Sequence, residues 1–195
     1  MKTIFAFAGL ILSVGYLHAA EATIVAQPDL NGPLPKEWLA RVGTWNVEHG
    51  EISAAEIPTD KHAAVLWHQV PMQAGAVDCE FKFDGAKVFI LGCDGQKHIG
   101  RLVITTKGMT LVDDSTEVKG KSSGTKLAEA KLDLKPGEWY PLHYEWSGER
   151  MAAKIGELGS IEATNANLSK KKERWWFAVG GEKMKIRSVK VTEPR

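Results

Sequence analysis

The chain has 195 residues, with 25 Lys and Arg against 24 Asp and Glu and a formal net charge of +1. A nucleic-acid binder would carry an excess of basic residues on one face, so that class is set aside. The length suits one domain with a sizeable core behind a short leader.

Lys2, an apolar run from Ile4 to Leu12, and small residues at Ala19, Ala20 and Ala22 form the layout of a secretory signal. The run is too short, and too soon followed by polar residues, to span a membrane. Cleavage after Ala22 satisfies the small-x-small rule through Ala20, and cleavage after Ala19 or Ala20 stays open. The organisation expected is a signal peptide over residues 1–22, an N-terminal linker over 23–35 and one domain over 36–195. The protein is then exported, to a periplasm or outside the cell.

Gln27-Pro28-Asp29 and Asn31-Gly32-Pro33 break any regular element in the linker. Pro35 suits the first position of a short helix through Ala40, which Gly43 ends. Thr44 to Val47 alternates into a turn at His49-Gly50. A two-residue turn there sets Val47 opposite Ile52 and Trp45 opposite Ala54.

Ala63 to Val70 is a short apolar run. Val77, Cys79, Phe81 and Phe83 then alternate with Asp78, Glu80 and Lys82, the pattern of a half-buried strand. Asp84-Gly85 is a turn signal, and residues 87–93 carry apolar side chains on both faces, as a central strand does. Two hairpin registers compete. A two-residue turn sets Cys79 opposite Ile90; a three-residue loop sets Phe83 opposite Phe89 and Cys79 opposite Cys93. The second permits a Cys79–Cys93 disulfide, which an exported protein can form, and is the one preferred. Two separate buried thiols are the alternative.

Arg101 to Thr106 and Met109 to Val112 read as strands around Lys107-Gly108, and residues 114–123 as a polar surface loop. Leu142, Tyr144 and Trp146 alternate with His143 and Glu145. Ser147 to Arg150 turns the chain, and Met151, Ala153 and Ile155 resume the alternation. A turn at Gly148-Glu149 sets Trp146 opposite Met151, Tyr144 opposite Ala153 and Leu142 opposite Ile155, all on one buried face. Residues 157–167 read as irregular and Lys170 to Arg174 as a solvated charged loop. Trp175 to Val179 and Lys183 to Val191 close the chain as two strands, with a bulge near Arg187-Ser188 where the apolar phase slips.

Short strands with frequent turns and almost no helical periodicity predict an all-β, two-sheet antiparallel β-sandwich or jelly roll. A β-barrel is the alternative. Four segments then sharpen the picture: Gly43 to Gly50, the Val77 to Phe83 strand, Pro136-Gly137-Glu138-Trp139, and Ile186 to Val191. In this order they resemble the 3-keto-disaccharide hydrolase-like domain of the concanavalin A-like and laminin G-like superfamily, over Trp38 to Glu193. The resemblance implies a jelly roll of the concanavalin A-like lectin and glucanase type and a sugar-active site. Where that family carries Asn-Ser-Gly-Ile and a Gly-Tyr-Glu-type strand, this chain reads Ala86 to Ile90 and Gly100-Arg101-Leu102.

Glycoside hydrolysis uses two carboxylates across the scissile bond. The Glu-x-Asp-x-x-Glu strand of jelly-roll glucanases is absent, and Asp78, Glu80, Glu138 and Glu145 read as surface residues. His49, His62, His68, His98 and His143 show no metal-ligand spacing. Asp113-Asp114 offers oxygens to a structural calcium, against the simpler reading of a solvated loop; otherwise no cofactor is expected. Seven tryptophans are many for this length, and aromatic faces stack on sugar rings. Trp45, Trp139 and Trp146 are expected in the core. Trp175 with Trp176, where strand neighbours face opposite ways so that one can be buried and the other exposed, and Trp67 with its neighbour His68 are the candidate ligand-binding residues. The expected partner is a glycan or small saccharide.

Overall fold

The computed structural model describes residues 22–115, 117, 118, 121, 122 and 124–194; the signal peptide expected over residues 1–22 lies, apart from Ala22, outside the described residues. In chain order the strands are β1 (Ala22–Ala26), β2 (Trp38–Val42), β3 (Thr44–Glu48), β4 (Glu51–Ala55), β5 (Ala64–His68), β6 (Gly75–Asp94), β7 (His98–Thr105) and β8 (Gly108–Asp113). They continue with β9 (Glu117–Val118), β10 (Lys121–Ser122), β11 (Thr125–Lys131), β12 (Tyr140–Ser147), β13 (Arg150–Ile155), β14 (Gly159–Thr164) and β15 (Arg174–Pro194). Short 3₁₀ turns sit at Pro58–Asp60 and Ala166–Ser169.

Two strands organise everything else. β6 and β15 pair antiparallel along most of their length, and this ribbon folds over at Asp84-Gly85-Ala86 against Gly180 to Lys183, where the register shifts. Each half of the ribbon seeds one sheet. The front sheet runs β11-β8-β7-β6-β15-β5-β2, using the second half of β6 and the first half of β15. The back sheet runs β14-β13-β12-β6-β15-β4-β3, using the other two halves. β1 lies along the end of β15, so the segment read as a linker contributes a strand.

The core fills the space between the sheets. Phe81 of the back half of β6 and Phe89 of its front half meet with ring centroids 5.6 Å apart, and Phe89 meets Phe177 at 5.5 Å. Tyr144 and Trp146 pack beside them, both buried. Fully burying such a side chain stabilises the fold by roughly 1.5–3 kcal/mol relative to exposing it. The β12–β13 hairpin has the expected register, with Leu142, Tyr144 and Trp146 opposite Ile155, Ala153 and Met151. So has β3–β4, where His49 and Gly50 both take positive φ in the two-residue turn. The bulge expected near Arg187-Ser188 is present, with Ser188 at φ 55°.

Other expectations are corrected. Asp84-Gly85 does not close a hairpin, because both flanks find a better partner in β15 and lie in opposing sheets. Cys79 and Cys93 therefore never become cross-strand neighbours; both are buried free thiols. Burial, helped by Asp78 and Glu80, pushes the Cys79 thiol far up, and burial pushes Cys93 up to about 12. Such thiols are inert nucleophiles. The helix expected after Pro35 is strand β2, which β5 recruits as an edge partner. Residues 159–164 form β14, and the two final strands are one. Trp139 lies outside the core, between Lys82 at 4.7 Å and Arg187 at 4.1 Å, because the core phase of β12 starts at Tyr140. Trp45 is half-buried, its indole N–H donating to the Val42 carbonyl.

Candidate functional site

The outward face of the front sheet carries a cleft of about 1000 Å³. Antiparallel pairing lines up its floor in rows, because residues directly opposite share a face. One row reads Trp67, Trp176, Gly92, Arg101 and Val112 across β5, β15, β6, β7 and β8. Two residues along, a second row reads Val65, Ala178, Ile90, Val103 and Thr110. On the other side Arg174 pairs with Asp94, and Asp94 with His98. The floor is thus aromatic in the middle, aliphatic at one end and charged at the other.

Asp94 is the hub of the charged end. Its Oδ1 accepts from the Trp176 indole at 2.7 Å and faces His98 Nδ1 at 2.8 Å, and its Oδ2 accepts from Arg174 Nε at 3.3 Å. The bond to Asp94 holds the His98 pKa above its usual value. Trp176 lies flat because its cross-strand neighbour is Gly92. A Cβ there would come within 2.2 Å of the ring. Trp67 projects beside it, with the Arg41 guanidinium 4.6 Å and that of Arg174 4.2 Å from its centroid. Arg101 meets Asp114 at 2.7 Å.

Of the four residues expected from sequence, Trp67 and Trp176 line this cleft. His68 and Trp175 point the other way and are each only 2 % exposed. They form a buried aromatic row with Trp38, His68 stacking on Trp175 at 4.9 Å and meeting Trp38 edge-on at 4.9 Å. Burial pushes the His68 pKa down to about 4, against an opposing pull from Glu37. Alternation in β5 and β15 turns Trp67 and Trp176 to the cleft side, where Trp67 is half-buried and Trp176 is only 6 % exposed.

Asp113-Asp114 is not a solvated loop. Both side chains are buried. Asp113 accepts from Ser115 N–H at 2.9 Å, Ser115 Oγ at 2.6 Å and Asn167 Nδ2 at 2.8 Å. Burial raises its pKa, but the Ser115 and Asn167 donors outweigh burial and leave it below the usual value. Protein donors thus occupy the oxygens a calcium ion would use. Among the described residues, no group of three or more His, Cys, Asp or Glu is placed to hold a metal. The charged run before β15 is split in the same way. Lys172 is buried, its ammonium donating to the Leu168 carbonyl at 2.5 Å, while Arg174 enters the cleft.

Arg41, Asp94, His98, Arg101 and Arg174 also line this face, and no local sequence pattern marks them together. Arg174 was findable, since it alternates in phase with Trp176 and Ala178. Arg101 stands where the resembling family has a different strand. Asp94 and His98 meet only because a bulge sets them opposite each other.

No family model matches the chain, and neither does any curated protein sequence. Solved structures do. The carbohydrate-binding module CBM66 from Bacillus subtilis superposes with a TM-score of 0.64 at 12% identity, over 78% of this chain and 93% of that one. SCLam, a non-specific endo-β-1,3(4)-glucanase of family GH16, gives 0.65 at 13% identity over 89% and 92%. The exoplasmic/lumenal domain of VIP36 gives 0.59 at 14% over 81% and 85%. The chain is a jelly roll. At these identities the likeness defines the fold alone. Among the described residues, no helix is long and apolar enough to cross a membrane.

Proposed function

We propose that this jelly roll is an exported glycan-binding module whose ligand lies in the front-sheet cleft. One observation carries the reading: the cleft floor joins Trp67 and Trp176 to an aliphatic row and to polar groups held in fixed positions by Asp94. Saccharide sites combine an apolar surface for the ring with a few oriented hydrogen-bonding groups. The similarity to a carbohydrate-binding module supports it. The carboxylates of the cleft favour binding over hydrolysis. Asp94 and Asp114 are both buried and turned to protein partners, which leaves, among the described residues of the cleft, no acid and base facing each other across a bond.

Ala178→Phe, which raises a ring from the aliphatic end of the floor, tests the reading. It should abolish saccharide binding in microcalorimetry and leave the circular dichroism spectrum unchanged. A wild-type protein that gives no response on an array of neutral and acidic glycans would sink the proposal. The resemblance to 3-keto-disaccharide hydrolases supplies a second reading, favoured by the Asp94–His98 pair, which turns the free Nε2 of a half-exposed imidazole away from Asp94. Hydrolysis of 3-keto-disaccharides that disappears in His98→Ala would favour it; intact substrate at high protein concentration would dismiss it.

A further inference from the structure

A stacking platform for a neutral sugar needs an open aromatic face, and Trp67 has two guanidiniums against its ring instead. Cation–π contact of this kind holds a guanidinium in place, and Arg presents a planar fork that matches carboxylate and sulfate oxygens. Arg41 is exposed and makes no ion pair among the described residues. Arg174 engages Asp94 through Nε at 3.3 Å, and its side chain keeps 26 % of its surface exposed. Among the described residues, the fixed charges lining the cleft are Arg41, Lys97, Arg101 and Arg174 against Asp94 and Asp114, a surplus of two cations. The whole chain carries only +1, so basic charge is concentrated here. Both carboxylates lie buried at floor level, which leaves the guanidiniums to meet an incoming ligand. A neutral ring laid over them would strip their water and offer no counter-charge, which is costly.

From this geometry we infer that the ligand is an acidic saccharide, its carboxylate or sulfate received by Arg41 and Arg174 and its ring resting on Val65, Ala178 and Ile90. Trp67 then serves as the spacer that pre-orients the two arginines, which lowers the ordering cost of binding. The inference rests on the glycan-binding reading and specifies its substrate class.

Titration calorimetry of the full chain with trigalacturonate, a chondroitin sulfate tetrasaccharide and cellotriose separates the possibilities. At least one anionic probe should bind about tenfold or more tighter than cellotriose, as a charge-assisted pair implies. The two anionic arms distinguish carboxylate from sulfate. Binding of the preferred probe should weaken several-fold between about 50 and about 300 mM salt. Arg41→Gln, at an exposed position, should keep the melting temperature and weaken that probe about tenfold or more, with Arg174→Gln acting in the same direction. If cellotriose binds as tightly as the anionic probes, or Arg41→Gln changes nothing, the acidic class is wrong and glycan binding stands. If none of the three probes binds and a broad glycan array is silent, both readings fall.

Discussion

Trp67 and His68 are neighbours in sequence and face opposite ways, one into the cleft and one into the interior row between Trp38 and Trp175. The interior position has a measurable signature. In the unfolded chain His68 titrates near 6.5; in the folded protein burial brings it down to about 4. Above pH 6.5 the ring is neutral in both states and adds no pH dependence. Below it, the unfolded chain takes up a proton that the folded chain refuses, so stability falls as pH drops from about 6.5 to about 4. Linkage puts the loss at about 3 kcal/mol. Chemical denaturation at pH 7.5 and at pH 4.5 checks this: wild type should lose roughly 2–3 kcal/mol more than His68→Phe between the two. Carboxylates with lowered values, such as Asp113 and Glu80, act equally in both proteins and cancel in the difference. Equal losses would place a solvated imidazole at this position.

At the scale of elements, the hairpins β3–β4 and β12–β13 were legible because each is local. Period-two alternation fixes the face and the turn residues fix the register. The β6–β15 ribbon was not legible, because Asp84-Gly85 and Gly180-Gly181 carry turn chemistry without ending a strand. They let the paired strands cross from one sheet to the other. Gly181 has φ +96°, and a Cβ there would lie 2.9 Å from the Lys87 amide nitrogen. Gly181→Val should therefore destabilise the protein by about 1–3 kcal/mol. Gly32→Ala, where an added Cβ meets nothing within 4 Å, should stay within about 0.5 kcal/mol. Thermal melts of both variants decide it, and a tolerant Gly181 would mean that the fold-over is not where the backbone is constrained.

For the whole molecule, the thiols report on the topology. Cys79 and Cys93 sit on halves of one strand that the fold-over places in opposing sheets, and both are buried. A thiol reagent should leave the native protein untouched and label both cysteines after denaturation, and reductant should leave the melting temperature unchanged. A mass two hydrogens light, with a melt that reductant lowers, would instead show a disulfide.

Local patterns were sufficient for an all-β sandwich, for the two hairpin registers and for the opposite facing of the strand neighbours Trp175 and Trp176. These follow from strand periodicity and turn stereochemistry, which act over a few residues. The partner of each strand, the fate of the cysteines and the make-up of the cleft were decided only in three dimensions. Arg41, Asp94, Arg101 and Arg174 come from four strands spread along the chain, and no window of sequence contains them together. They meet because the long β6–β15 ribbon gathers β2, β5 and β7 into one sheet. That gathering is driven by burial of the Phe81, Phe89 and Phe177 core, a nonlocal and nondirectional force that leaves no local mark on the residues it brings to the opposite face.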